Sequence, residues 1–521
     1  MAKYLIRRII GGLISVIIVV GIVMLLVYGL LDREAVFAYD PSYSKLVNNT
    51  KEVYRYRQWE NYGYLDYVPY SDYLSDLVKN GELSESERTE VQSFGRRPEN
   101  DSAKVSEYVQ KFTSHYQSKG YTVVRLNAVT MGGSVSSGGT QQLFAYKDYN
   151  LFVRMWRYFT SVINIDNIHK ASGIPDSERK IYFTWHDPAY GGKFAPAIMG
   201  NGTQHKYLLY FDNQFPFIHQ NLITINLGQS YSVSQGIDVF TTMTQSQGGQ
   251  VLSDVIYPTG LVEYSADDMH SATYVEGSNS TAVTQLRYVD DYTNVSLVRD
   301  GFSRMSYSFV IGIFAVLMSY ILGLPLGILM ARKKDKAADI IGTIYVIFIM
   351  AVPSLAYIFM FRALGGAMGL PTTFDTTALT VAMYILPIVS LALPSIASLM
   401  KWMRRYMIDQ SNADYVKFAR AGGLSESEIF RKHIMKNAVI PIVHGIPGSV
   451  LGALTGAIIT ESVYVVPGVG NLLTQAINKY DNSVIVGVTL FYSLLSVISI
   501  ILGDILMALI DPRISFSSKA R

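Results

Sequence analysis

Six stretches of this sequence are apolar enough and long enough to cross a bilayer: about 9–31, 307–330, 340–361, 378–400, 438–464 and 484–510. A crossing takes about 20 residues at about 1.5 Å rise each. Inside hydrocarbon every backbone N–H and C=O must be paired within the protein, which confines such stretches to helices. The predicted fold class is therefore a multi-pass α-helical membrane protein with six transmembrane helices. The first stretch also invites comparison with a secretory signal, with a weak cleavage-type site at Ala35–Ala38. Its apolar core exceeds the usual length of a signal, and it reads as an uncleaved anchor.

Lysine and arginine placement orients the spans. Lys3, Arg7 and Arg8 precede the first. Arg332, Lys333, Lys334 and Lys336 follow the second, Lys401, Arg404 and Arg405 follow the fourth, and Arg513 follows the sixth. The opposite short loops carry only Arg362 and Lys479. Both termini are expected in the cytoplasm, with residues about 32–300 outside. Pro325, Pro353, Pro387, Pro394, Pro441 and Pro447 interrupt the apolar runs. Gly448, Gly452 and Gly456 recur every four residues, giving the fifth span a smooth face of the kind that lets helices approach closely. Either ordinary bundle packing or a pathway lined by the third to fifth spans would use such a face.

The long stretch between the first two spans is polar and Tyr-rich, and charged residues make up 16% of the whole chain against about 25% in soluble domains. A connector of that size must fold on its own. The expected organisation is 1–31 as N-terminus and first span, 32–300 as an external domain, and 301–521 as a five-helix core with a cytoplasmic loop at about 401–440. Residues 71–120 read as helical. KYLLYF (206–211), LITINL (222–227) and VLSDVIY (251–257) read as strands, so the external domain is predicted to be mixed α/β. The absence of cysteine excludes disulfides and thiolate metal sites, and no basic patch with interleaved aromatics points to nucleic acid. No H-E-x-x-H or G-x-S-x-G occurs, and His186-Asp187 is the one acid/base couple of interest. Metal and catalytic residues are expected to be absent, and the tyrosines suit either a docking surface or ordinary strand packing.

One polar segment, 413–441, lies between the fourth and fifth spans. Ser411 and Asp414 are placed to start a helix, and Gly422-Gly423 to end it. Ser425 and Glu428 form a capping box, flanked by a staple of Leu424 and Ile429. A second helix then runs to Pro441 and the fifth span. A first helix this short is unstable alone, and Tyr415, Phe418 and Ala419 are its expected packing face.

Here the sequence resembles a family. YVKFARAGGLS (415–425), followed by Asn437-Ala-Val-Ile-Pro441, is similar to the cytoplasmic EAA loop of binding-protein-dependent ABC importer permeases, in the dipeptide/oligopeptide branch. Ala419 and Gly423 match the second Ala and the Gly of EAA-x3-G. Lys417 and Phe418 replace Glu and Ala, Gly422 stands where Lys or Gln is commoner, and Pro441 is further from Gly423 than in the general motif. Ala331 with Asp339, Leu227-Gly-Gln-Ser-Tyr231, Glu461 with Pro467-Gly468-Val-Gly470, and Asp511-Pro-Arg513 resemble other family elements. The large external domain departs from typical members, although a streptococcal oligopeptide permease carries such an insertion.

The resemblance implies a type I importer permease fold and a non-catalytic subunit of a bacterial plasma-membrane oligopeptide importer. It implies that Asp414, Tyr415, Phe418, Ala419, Arg420, Ala421, Gly422, Gly423 and Leu424 dock on a cytoplasmic ATPase. Pro441, Gly448, Gly452, Glu461, Pro467 and Gly468 would serve structure or gating. The implied partners are a second permease subunit, two ATPases, a lipid-anchored peptide-binding protein docked by the external domain, an oligopeptide and membrane lipid. No G-x4-G-K-[ST] loop is present, so ATP and Mg would bind those ATPases and this chain would hold no cofactor. A secondary transporter would want intramembrane charges, approached only by His444 and Glu461. A surface sensor or anchored enzyme would not need six spans.

Overall fold

The computed structural model describes residues 2–165, 175–187, 193–200, 203, 207–211, 218–220, 223–257, 259–269, 282–287, 296–376 and 378–510. The first apolar stretch forms α1 (Ala2–Leu30). After it, α2 (Asn48–Asn61) lies beside an antiparallel sheet of β1 (Leu65–Pro69), β2 (Thr122–Leu126) and β3 (Gln142–Asp148), in the order β1-β3-β2. Alternation sends Phe144 to a cluster with Trp59 and Tyr67, and Leu143 and Ala145 to another with Leu74, Val91 and Phe112. The second cluster is covered by α3 (Tyr70–Lys79), α4 (Glu85–Val91) and α5 (Ala103–Ser118), matching the helices expected over 71–120.

Next come α6 (Leu151–Ser161) and β4 (Ile163–Ile165). Then β5 (Ile181–Asp187), β6 (Lys193–Gly200), β7 (Tyr207–Phe211) and β8 (Ile218–Gln220) form a second antiparallel sheet, and β9 (Ile223–Ile225) pairs with β4. Strands thus occur within 206–211 and 222–227, and a hairpin of Ser253–Ile256 with Val262–Ser265 covers the third expected strand. The region is mixed α/β. Of the residues singled out earlier, Asp511 to Arg513 lie outside the described residues.

Helices make up most of the remaining chain, beside a short pairing of Asp267–Asp268 with Ser296–Leu297. It contains α7 (Val239–Thr244), α8 (Arg304–Arg332), α9 (Ala337–Ala351), α10 (Ser354–Ala367) and α11 (Ala382–Ser411). These lead to α12 (Asp414–Ala421), α13 (Met435–His444), α14 (Ile446–Tyr464), α15 (Val469–Asn478) and α16 (Asn482–Ile510). Among the described residues, five helices meet the length and hydropathy of a crossing alone, or up to six if α9 and α10 count as one span. The third expected span, about 340–361, is thus two helices bent by 108° at Pro353. Pro353 lacks an N–H and drives Val352 into an extended conformation, which ends α9. The fifth expected span is likewise two helices, meeting at Gly445.

The glycines that permit close helix contact are not those expected. Gly323 and Gly327 on α8 lie against α11, where an added Cβ would come within 2.9 Å of Leu399 Cβ and 2.8 Å of Met403 Cβ. Gly448 and Gly452 have nothing within 4 Å of such a Cβ. Their smooth face opens onto empty space instead, because α14 is flanked there by cavities. The surroundings of Gly456 lie outside the described residues.

Candidate functional site: a polar elbow, a hydroxyl-lined cavity and two carboxylate latches

The elbow begins where α11 ends. Ser411 is the last residue of α11 and its hydroxyl donates to Met407 O at 2.7 Å, so it does not cap the next helix. Ala413 occupies that place without a side-chain cap, and Asp414 follows in the first turn, where a negative charge suits the helix N-terminus. The stop is as read: Gly422 N donates to Phe418 O at 2.9 Å, Leu424 N to Ala419 O at 3.2 Å, and Gly423 takes φ +79°. That left-handed conformation favours glycine.

Beyond the turn, Ser425 Oγ accepts from Glu428 N at 3.3 Å, half of the expected capping box. Glu428 gives its carboxylate to Lys432 Nζ instead, at 2.6 Å. The staple also fails: Ile429 is fully buried, while Leu424 is exposed. A π-helical turn at Ile429–Ile434 then leads into α13, where a plain α-helix was expected. Such turns insert one extra residue per turn and recur at functional sites.

The packing face of α12 differs from the reading too. Val416 is fully buried with Met403 and Met407 of α11, Ile429, Ile434 and Ala438, a burial that contributes roughly 1.5–3 kcal/mol. Tyr415 and Ala419 border this cluster, and Tyr415 Oη donates to Gln410 Oε1 at 2.6 Å. Phe418, expected on the same face, is 77% exposed. The two elbow arms are strapped by Arg420, whose Nε and Nη2 reach Glu426 Oε1 and Oε2 at 2.6 and 3.1 Å. Arg420 holds the Glu426 carboxyl below its ordinary range, chiefly through this hydrogen bonding. Nearby, Asp339 on α9 is buried and takes a bidentate contact from Arg404 of α11, at 2.5 and 2.7 Å.

Between α8, α10, α11, α13 and α14 lies a cavity of about 620 Å³. Ser319, Ser390, Ser398, Ser449, Thr460 and Tyr320 line it with hydroxyls, Pro441 and Gly452 also border it, and no charged side chain lines it among the described residues. Tyr320 Oη and Ser449 Oγ bridge α8 and α14 at 3.2 Å. Gly448 and Gly452 also face a groove of about 1080 Å³ against α1 and α16. His444 Nδ1 lies 3.0 Å from Gly503 O, a structural contact. No group of three or more His, Cys, Asp or Glu able to hold a metal occurs among the described residues.

Glu461 is fully buried and closes the turn after α14. It accepts from Ser308 Oγ at 2.6 Å and from Asn471 N at 2.9 Å, at the N-terminus of α15. The turn must be bare there. A Cβ on Gly468 would lie 2.3 Å from Glu461 Cδ, and one on Gly470 would lie 2.9 Å from Oε2. Pro467 precedes this contact. The sequence pattern thus follows from one carboxylate pressed on a backbone.

A second carboxylate, Asp481, was not singled out from sequence. It is fully buried before α16, and its Oδ2 accepts from Ser230 Oγ at 2.6 Å, Tyr231 N at 2.9 Å, and Ser232 N and Val233 N at 3.0 Å. The Leu227–Tyr231 element is therefore clasped to the helical core. A lone Asp in a short polar loop carries no local signal of this, since its donors lie some 250 residues away.

Helices long and apolar enough to cross a bilayer, packed around a hydroxyl-lined cavity, make this a polytopic membrane protein. The family described as the binding-protein-dependent transport system inner membrane component matches residues 323–516. The chain is 33% identical to the oligopeptide transport system permease protein AmiC of Streptococcus pneumoniae, covering 100% of this chain and 99% of that one. It is 29% identical to the dipeptide transport system permease protein DppB of Bacillus subtilis, over 41% of this chain and 68% of that one. A MetNI methionine ABC transporter structure in inward-facing conformations matches 40% of this chain and 94% of its own at 14% identity and a TM-score of 0.33. The chain belongs to the peptide-permease branch of the binding-protein-dependent transport permeases, a family of non-catalytic membrane components.

Proposed function

We propose that this permease subunit forms half of the path of an ATP-driven oligopeptide importer in a bacterial plasma membrane. A second permease supplies the other half. Two cytoplasmic ATPases bind ATP and Mg and receive the 414–424 elbow. Both termini are cytoplasmic, and residues about 32–300 are extracellular and dock a lipid-anchored peptide-binding protein.

The observation that carries this reading is the division of labour on α12. Val416 fastens the helix to α11, while Phe418 stands 77% exposed with no partner in this chain among the described residues. A push on α12 is delivered through Met403 and Met407 to α11, and through the π turn to α13 and α14. All three helices line the cavity. Asp414, Arg420, Ala421, Gly422, Gly423 and Leu424 shape the elbow, and Pro441, Gly448 and Gly452 lie where the moving helices bend or face space. Glu461, Pro467 and Gly468 hold the far end of α14. An uncharged lining of hydroxyls offers hydrogen bonds to peptide backbone without selecting side-chain charge.

The test is uptake of labelled peptide by cells carrying Phe418→Asp. The side chain is exposed, so the protein should reach the membrane in normal amount while uptake falls. Uptake that persists at normal abundance would sink the coupling role. Uptake that follows the proton gradient rather than ATP would favour a secondary transporter.

A further inference from the structure

Helix α6 has two apolar faces, and only one is covered. Met155, Tyr158 and Phe159, together with Val162 just beyond the helix, pack into the cluster that contains Val16, Val20 and Met24 of α1. On the other side, Phe152 and Trp156 are spaced as neighbours on one face and stand 80% and 73% exposed, with Val153 beside them. In water such a face would be an unexplained cost.

Its position along α1 supplies the explanation. Met155 lies over Gly21, where an added Cβ would come within 2.7 Å of Met155 Cε. Gly21 is nine residues before the end of α1 at Leu30, about 13 Å along the axis. Since the hydrocarbon layer is about 30 Å thick, the Met155 side chain reaches the depth of acyl chains. The exposed surface of α1 beside Gly21 is aliphatic too, with Ile18, Ile22 and Leu25. Arg154 fixes the helix nearer the membrane surface, its guanidinium 3.8 Å from the ring centre of Tyr28 and 4.1 Å from that of Tyr64. Arg157 turns back to Tyr149 Oη at 2.7 Å. Trp with flanking Arg and Tyr is the composition of a membrane interface.

We propose that α6 is an interfacial anchor. It lies in the phospholipid leaflet at the Leu30 end of α1, with Phe152 and Trp156 among the acyl chains. The inserted region is then not a domain tethered above the bilayer but one seated partly within it. Its orientation relative to the bundle is held by lipid as well as by the Asp481 latch.

The chain contains no cysteine, so one introduced cysteine is its single labelling site, and any cysteines of the partner subunits are replaced beforehand. Phe152→Cys and Trp156→Cys, both at exposed positions, are labelled with bimane in the full permease complex in phosphatidylethanolamine/phosphatidylglycerol nanodiscs. Ile22→Cys on α1 and Ser86→Cys on α4 are the lipid and water controls. The expected result is quenching by doxyl-labelled lipid comparable to Ile22→Cys, with iodide quenching several-fold weaker than at Ser86→Cys. Iodide quenching equal to that at Ser86→Cys would overturn the proposal by placing α6 in water. Protection from both quenchers would overturn it by showing that a protein subunit covers this face.

Discussion

Replacing Asp481 with asparagine should unfasten the inserted region from the helical core. One oxygen of Asp481 accepts four hydrogen bonds, three of them from the consecutive amides of Tyr231, Ser232 and Val233. Hydrogen bonds to a charged group contribute about 1.5–3 kcal/mol each, against about 0.5–1.5 kcal/mol for neutral ones. The charge-assisted surplus is therefore about 1 kcal/mol per bond, and non-additivity brings the total to about 2–4 kcal/mol. The asparagine amide group would also face Val484 N, now a donor to the other carboxylate oxygen at 3.4 Å. Alanine should cost more, because it leaves buried amides without an acceptor. Hydrogen exchange reads the effect where it occurs. Amides 231–233 should lose about 30- to 700-fold of their protection in Asp481→Asn, a factor of ten per about 1.4 kcal/mol. Val124 and Ala145, in the separate β1-β3-β2 sheet, should be unaffected. Unchanged exchange at 231–233 would refute the latch.

Other consequences can be checked singly. Gly468→Ala should destabilise the core by about 1–3 kcal/mol through overpacking against Glu461, and Glu461→Ala should relieve part of that clash in the double variant. Thermal unfolding of the four corners of that cycle gives the coupling, and additive losses would contradict it. Arg404→Gln leaves the buried Asp339 carboxylate without its bidentate partner, and about 3 kcal/mol should be lost from the unfolding free energy. The Arg420–Glu426 strap gives the elbow a pH dependence. The Glu426 carboxyl is held below its ordinary range by Arg420, so the strap is complete above the unfolded value of about 4.3. It weakens as pH falls through the lower folded value, since protonation then removes the acceptor. Exchange at the Leu424 amide should quicken over that acidic range in the native protein and not in Glu426→Gln.

Much of this was legible in the sequence because it is local. The first, second, fourth and sixth apolar helices, the glycine stop at Gly422-Gly423, the helices over 71–120 and the strand at 206–211 all follow from local composition, periodicity and capping. The pattern from Glu461 to Gly470 was visible as a resemblance, and the structure supplies its reason in the bare backbone under Glu461. What escaped depends on distant partners. Val416 looks no more buried than Phe418 until the methionines of α11 stand beside it. Asp481 is an ordinary loop residue until the 230–233 amides close on it. Pro353 was visible as an interruption but its bend was not, because apolar residues continue on both sides of it and Pro325, Pro387 and Pro394 sit inside unbroken helices of the same composition. Hydropathy reports burial in lipid and says nothing of direction.

The proposed docking of an ATPase on the Phe418 face of α12 can be read out directly. A photo-crosslinking amino acid at Phe418, in the complete transporter in membranes, tests it directly. The expected product is a crosslink to a subunit that carries a nucleotide-binding phosphate loop, with a yield that changes between ATP-bound and nucleotide-free states. Crosslinks confined to lipid or to this chain, in a transporter that still takes up peptide, would contradict it.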